Sequence, residues 1–272
     1  MKQIGRHHGG KIRGWIIAVS IMTLIGVLIS LAAWCYQNIK DKSEYRTQGI
    51  AQYEKGDYQQ AVVDFQASLG EKACFTDELD KDTRYYLADS YFLLEQYEAA
   101  IQQYDTLLKY ENVDKTYLEQ QRQVAQGFLD LKNRNYENAF PAFEATVENG
   151  HPECALYAGI CAAELNRQDK MVAYLTMYLS ANPESAYACT QLADYYLQQG
   201  LYDTCYQYLQ QGLQSTDRSC YEQLLLIEVV YYEYQHDYNK AYELICSYMQ
   251  LYPVTEMVQK EYDFLYTRQT LE

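Results

Sequence analysis

An internal repeat constrains this chain more than any other feature. The stretches GDYQQAVVDFQASL from Gly56, EQYEAAIQQYDTLL from Glu95 and RNYENAFPAFEATV from Arg134 align with one another. So do NRQDKMVAYLTMYLSANP from Asn166, GLYDTCYQYLQQGL from Gly200 and HDYNKAYELICSYMQLYP from His236. The alignment is set on a compact residue: Ala61, Ala100, Ala139, Met171, Cys205 and Ala241, at intervals of 39, 39, 32, 34 and 36 residues. Four residues later stands a large side chain each time: Phe65, Tyr104, Phe143, Leu175, Leu209 and Ile245. Twelve residues earlier stands a small one, Gly49, Ala88, Gly127, Gly159 and Ala193, with Val229 the exception. Tyr58, Tyr97, Tyr136, Tyr202 and Tyr238 precede the compact residue by three.

Each slot has a physical reason. Small residues let two antiparallel helices approach until their backbones nearly touch, and the large residue one turn on fills the space beyond that contact. Gly56 and Gly200 relieve the turn between paired helices. Pro152 suits the first turn of a helix, where its missing N–H is no loss. Pro141 falls early in a second helix and is expected to bend it slightly. The two 39-residue intervals imply longer connections, one of them GEKACFTDELDKD at 70–82. Its acids suggest a calcium loop, but the required glycine and terminal glutamate are missing, so a solvated loop is expected.

These positions resemble the tetratricopeptide repeat signature over roughly residues 42–253. The resemblance implies an all-α fold, an α-solenoid of about six helix-turn-helix repeats, each covering an apolar face of its neighbour. VTEMVQKEYDFLYTRQ from Val254 carries Val254, Met257, Val258, Tyr262 and Leu265 at helical spacing and is expected to cap the last repeat, within 254–272.

Residues 15–35 form a separate element. WIIAVSIMTLIGVLISLAAW, from Trp15 to Trp34, has no ionisable side chain, and about twenty helical residues span about 30 Å of hydrocarbon. Trp15, Trp34 and Tyr36 sit where interfacial aromatics belong. A single transmembrane helix is expected. The competitor is a signal peptide, whose apolar stretch is shorter and whose cleavage site Ser30-Leu31-Ala32 matches only faintly. Cys35 raises bacterial lipidation, but bulky Trp34 before it departs from that motif. The tail 1–14 carries Lys2, Arg6, Lys11 and Arg13, against Lys40, Lys42 and Arg46 after the apolar run, so a cytoplasmic N-terminus with the repeats outside is expected.

Charge narrows the partners. Residues 1–40 hold five Lys/Arg and no acid, so the formal −15 of the whole chain becomes −20 for the rest. Such a body repels phosphate backbones, and nucleic acid is excluded as a partner class. No phosphate-binding loop or nucleophile elbow is present. His151, Glu153 and Cys154 lie close together but lack a third organising group, so a helix start is expected there and not a thiol hydrolase. None of the eight cysteines forms Cys-x-x-Cys. Buried thiols acting as compact hydrophobes are expected, with one or two disulfides if the body is exported, between cysteines the sequence does not identify.

No catalytic residue, metal site or small-molecule cofactor is therefore expected. The resemblance implies a protein-binding scaffold whose first helices line a groove for an extended or helical peptide. By register that groove would present Tyr53, Tyr85, Asp89, Phe92, Phe128, Tyr187, Thr190 and Asp194. Aromatic anchors among acids favour a Lys/Arg-bearing segment of a protein partner. The clamp with which some family members hold a terminal carboxylate finds Arg46, Ile50, Tyr86, Gln121 and Ala125 at its places, where only Arg46 has the right charge. The alternative is a structural subunit of an envelope or secretion complex, working through its convex surface or ends.

Overall fold

A computed structural model of the chain describes residues 7–269, and among them the all-α expectation holds: thirteen α-helices, one short 3-10 turn and no strand. Lys2 and Arg6 of the basic tail, and the last three residues of the capping segment, lie outside the described residues. The chain divides into two compact units after Leu129.

The first unit opens with α1, His7–Glu54, a single helix of 48 residues. The apolar run and the start of the first repeat, read as separate elements from sequence, share this one helix. Gln37 through Gln48 contain no Gly or Pro to stop a helix, and the Gln37 amide donates to Asp41 across one turn at 2.7 Å. Residues 15–34 are exposed throughout. Partial burial begins at Cys35, and α1 packs further on against α2, Tyr58–Gly70. Then come α3, Asp77–Leu93, α4, Tyr97–Leu107, and α5, Lys115–Lys132, whose last residues pass into the second unit. The connections 71–76 and 108–114 lie in the two 39-residue intervals, although 215–220 is as long as the first of them. Asp77, Glu78 and Asp80 are not loop residues, however. They occupy the first turn of α3, where negative charge is favoured by the helix dipole.

The second unit holds α6, Tyr136–Glu148, the 3-10 turn Pro152–Cys154, α7, Ala155–Glu164, and α8, Gln168–Ala181. It continues with α9, Ala186–Gln198, α10, Tyr202–Gln214, α11, Tyr221–Tyr234, α12, Tyr238–Leu251, and α13, Glu256–Gln269. Pro152 begins the 3-10 turn that leads into α7. Helix α13 packs on α12 and buries Val258 and Leu265, while Met257 stays exposed and Val254 precedes the helix. Pro141 lies inside α6, which continues through it.

The compact, large and small slots are interior: the six compact residues, the six large ones, the five small ones and Val229 are buried, while the recurring tyrosines other than Tyr97 are half-buried. Glycine serves its slot in a more specific way than backbone approach alone. A Cβ on Gly49 would stand 2.6 Å from Phe65 Cε1, and one on Gly159 would stand 2.5 Å from Leu175 Cδ2. The large side chain of each pair therefore occupies the space that a side chain on the glycine would need.

The six turns within the helix pairs share one hydrogen-bond pattern, which also closes α6 at Gly150 and His151. Gly56 N–H donates to Tyr53 O at 2.9 Å and Asp57 N–H to Gln52 O at 3.0 Å. The same two bonds recur at Glu95 and Gln96, Arg134 and Asn135, Asn166 and Arg167, Gly200 and Leu201, and His236 and Asp237. This is the Schellman arrangement, and its middle residue must adopt positive φ. It does so at Gly56 (80°), Glu95 (57°), Arg134 (58°), Asn166 (53°), Gly200 (71°) and His236 (61°). The next helix then starts on the recurring tyrosine in five of the six cases.

Candidate functional site

In the first unit, α1 and α3 bring Tyr53 and Asp89 together. The Tyr53 hydroxyl donates to Asp89 Oδ2, and the Tyr53 ring meets Tyr58 and Tyr86 edge-on at 5.5 Å each. Tyr86 stacks in turn on buried Phe65 at 5.8 Å. The tyrosine is thus seated on the core through its ring while its hydroxyl reaches an exposed carboxylate. Burial and then the Asp89 bond push the Tyr53 pKa up.

Two tyrosines that register did not nominate share this carboxylate's surroundings. Tyr104 of α4 and half-exposed Tyr117 of α5 are both pushed up, by burial first and next by the Asp89 charge. Tyr85 is half-buried and raised by burial, then by Tyr117 and Asp114. Among the described residues no lysine or arginine forms an ion pair with Asp89. The nearby cations are engaged elsewhere: Arg46 donates to Asp82, Lys81 pairs with Glu78, and Arg84 donates to Gln103. Arg46 is therefore not available as a carboxylate clamp. Tyr104 escaped the sequence reading because it fills the large-residue slot. Tyr117 sits on the first turn of α5 in a long-interval repeat, where register is least secure.

Phe92 and Phe128 meet each other at 5.3 Å and both meet Tyr97 at 5.5 Å. Tyr97 is buried, whereas the two phenylalanines are half-buried, so part of each ring belongs to this internal cluster.

In the second unit the three expected groove residues lie along α9 and differ. Asp194 is exposed and accepts from Gln198 at 2.7 Å. Tyr187 is half-buried, and burial pushes its pKa up to about 12. Thr190 is buried, and its hydroxyl donates to Ala186 O at 2.8 Å, one turn back in its own helix. It is not presented to a partner. An unforeseen series of tyrosine contacts lies nearby: Tyr196 on Tyr208 at 5.6 Å, Tyr206 on Tyr231 at 5.3 Å and Tyr202 on Tyr234 at 5.7 Å.

The residues examined for chemistry are quiet. His151 Nδ1 stands 2.9 Å from Glu153 Oε1, but Cys154 is buried and its thiol is pushed up to about 11 by that burial. A thiol so far from ionising is a poor nucleophile. Among the described residues no three His, Cys, Asp or Glu side chains converge as a metal site would require.

Residues 46–112 match the family model of the tetratricopeptide repeat. PilF of Pseudomonas aeruginosa superposes with a TM-score of 0.56 over 85% of this chain and 99% of its own, at 16% identity. PilW, a widely conserved type IV pilus biogenesis factor, gives 0.51 over 80% and 97% at 18% identity. A chain of the APC/C hetero-tetramer Cut9–Hcn1 gives 0.52 over 83% and 42% at 14% identity. No curated protein matches the chain. At these identities the likeness is one of fold, and it agrees with the recurring turns and interior slots. Residues 46–112 are thus similar to the tetratricopeptide repeat, and the chain shares the fold of the solved structures it superposes on.

Proposed function

We propose that this chain is a membrane-tethered scaffold that holds a protein partner through a Lys- or Arg-bearing segment at Tyr53, Tyr85 and Asp89, joined by Tyr117. The supporting observation is Asp89, an exposed carboxylate oriented by Tyr53, close to several tyrosines and without a cationic partner among the described residues. A cation entering there gains the carboxylate and the faces of half-exposed rings. Phe92 and Phe128 supply adjoining apolar contact, and Tyr187 and Asp194 offer the same chemistry in the second unit. The acidic body argues for a basic protein segment and against nucleic acid.

The tether is residues 15–35. Helix α1 is long and apolar enough to cross a membrane, and its apolar stretch is exposed on all sides. The proposed orientation keeps the basic N-terminus in the cytoplasm and the repeats outside. Lys42 and Arg46 after the span are ion-paired to Asp80 and Asp82, which leaves the tail as the stronger positive signal.

A binding assay on the full chain in detergent tests the site, with a fluorescent Lys/Arg-rich peptide and a glutamine-substituted control. Asp89→Asn is expected to weaken the basic peptide by about twofold to fivefold, from loss of an exposed ion pair at roughly 0.5–1 kcal/mol. Helicity should be unchanged. Equal binding of both peptides, or no effect of Asp89→Asn, refutes the proposal.

One observation favours the second reading, a structural subunit of an envelope or secretion complex. Met257, Phe264 and Tyr266 on α13 are all exposed at the chain's end. That reading predicts that Asp89→Asn is silent and that deleting 254–272 abolishes assembly.

A further inference from the structure

The connection 71–76 runs along one face of α1 and is attached to it at successive turns. Lys42 is almost fully buried, and its Nζ donates to Glu71 O at 3.0 Å while pairing with Asp80 at 2.8 Å. Ser68 Oγ returns a bond to Lys42 O at 2.8 Å. One turn toward the N-terminus, Asn38 Nδ2 donates to Lys72 O at 2.7 Å. One turn further lies Cys35, and Cys74, two residues beyond Lys72 on the connection, is the side chain it interacts with. Residues 35, 38 and 42 share a helix face, so the three attachments form one seam.

The other cysteines are placed differently. Cys154, Cys161, Cys189 and Cys205 are buried, and burial pushes their thiols up to about 11, 12, 11 and 11. Cys246 lies against Tyr242, and Cys220 faces Ser219 at 3.8 Å. Cys35 and Cys74 instead interact with each other at the end of the seam. Cys74 is exposed, and Cys35 is half-buried behind it.

We propose that Cys35 and Cys74 are a disulfide-forming pair that locks the 71–76 connection to α1, one residue beyond the apolar run. The oxidant is an exchangeable disulfide, such as oxidised glutathione or an oxidoreductase of the same chemistry. Cys74, the exposed thiol, loses its proton and attacks one sulfur of that disulfide, releasing the other as a thiolate. Cys35, once deprotonated, displaces the second thiolate and closes the S–S bond. The two cysteine protons and two electrons pass to the oxidant, which leaves as two thiols. The pairing follows from contact geometry and does not depend on where the partner segment binds.

The test equilibrates the full chain in detergent with reduced and oxidised glutathione, then quenches with acid, alkylates and maps peptides without reduction. Two of the eight thiols are expected to stop reacting, joined in one peptide pair containing Cys35 and Cys74. Cys35→Ser and Cys74→Ser should each return the remaining thiol to the reactive pool without creating a new internal pair. Unfolding the chain in guanidinium should lower the preference for this pair by about tenfold or more, equivalent to about 30 mV for a two-electron couple. Eight reactive thiols in the folded, oxidised sample would overturn the proposal. So would a different internal pair, or Cys74 linking two chains.

Discussion

Replacing Gly49 by alanine tests the packing rule on which the repeats rest. The new Cβ would stand 2.6 and 2.7 Å from two Phe65 ring carbons and 3.1 Å from a third. Carbon atoms prefer about 3.5–4.0 Å, so the ring must shift by roughly 1 Å. Phe65 is fully buried and stacked on Tyr86, which leaves it little room to do so. Overpacking of this kind costs about 1–3 kcal/mol, and the tight setting argues for the upper half. Alanine returns about 1 kcal/mol of helix propensity, so Gly49→Ala should destabilise by about 1–2 kcal/mol. Hydrogen exchange of α2 amides reads this locally, as exchange about 5–30-fold faster in a helix that unfolds as a unit. Gly70→Ala is the control, because its Cβ would meet nothing within 4 Å, and it should be neutral or stabilising. In a Phe65→Leu background the penalty at Gly49 should shrink or reverse. If Gly49→Ala protects α2 as well as Gly70→Ala does, the fit of large residue over glycine is not what seats the hairpin.

Three other expectations follow from features of the fold. Arg134→Gly should stabilise by about 0.5–1 kcal/mol and Gly56→Ala should destabilise by about 1–2 kcal/mol, since both positions hold positive φ; chemical denaturation of the two variants checks the sign. Pro141→Ala should stabilise by up to about 3 kcal/mol by restoring a donor inside α6, read as a rise in melting temperature. Glu233 of α11 is pushed up to about 8 by burial and by Glu261 of α13, so the folded protein holds a proton there that the unfolded chain loses near pH 4.5. Stability should therefore fall as pH rises from about 5 through 8, and Glu233→Gln should flatten that slope in melts taken at pH 5, 7 and 9.

The interior was legible because it repeats. Ala61, Phe65 and Gly49 mean little individually, but six agreements at fixed offsets leave few folds that would keep them. The turns were half legible. Gly56 and Gly200 announce positive φ, whereas Glu95, Arg134, Asn166 and His236 adopt it without a glycine, their conformation set by the two carbonyls that the turn must satisfy. The continuity of α1 was missed because a change in hydropathy was taken for a change in structure, although backbone hydrogen bonding runs past such a change. At the candidate site, register nominated Tyr53 and Asp89, which the fold brings together, and Thr190, which it buries because its short side chain turns back to its own backbone. The Cys35–Cys74 contact was out of reach, since it depends on the course of an irregular segment that no periodicity describes.

The unbroken α1 has a mechanical consequence. A helix transmits rotation as well as position, so whatever holds Trp15 to Trp34 also sets the direction in which Tyr53 faces. Adding one residue near Lys40 would advance the first hairpin by about 1.5 Å and swing it about 100° around the rod, while adding four would bring it nearly back. The aim of the first unit is thus written into a residue count, much as the pitch of a screw fixes where its head comes to rest.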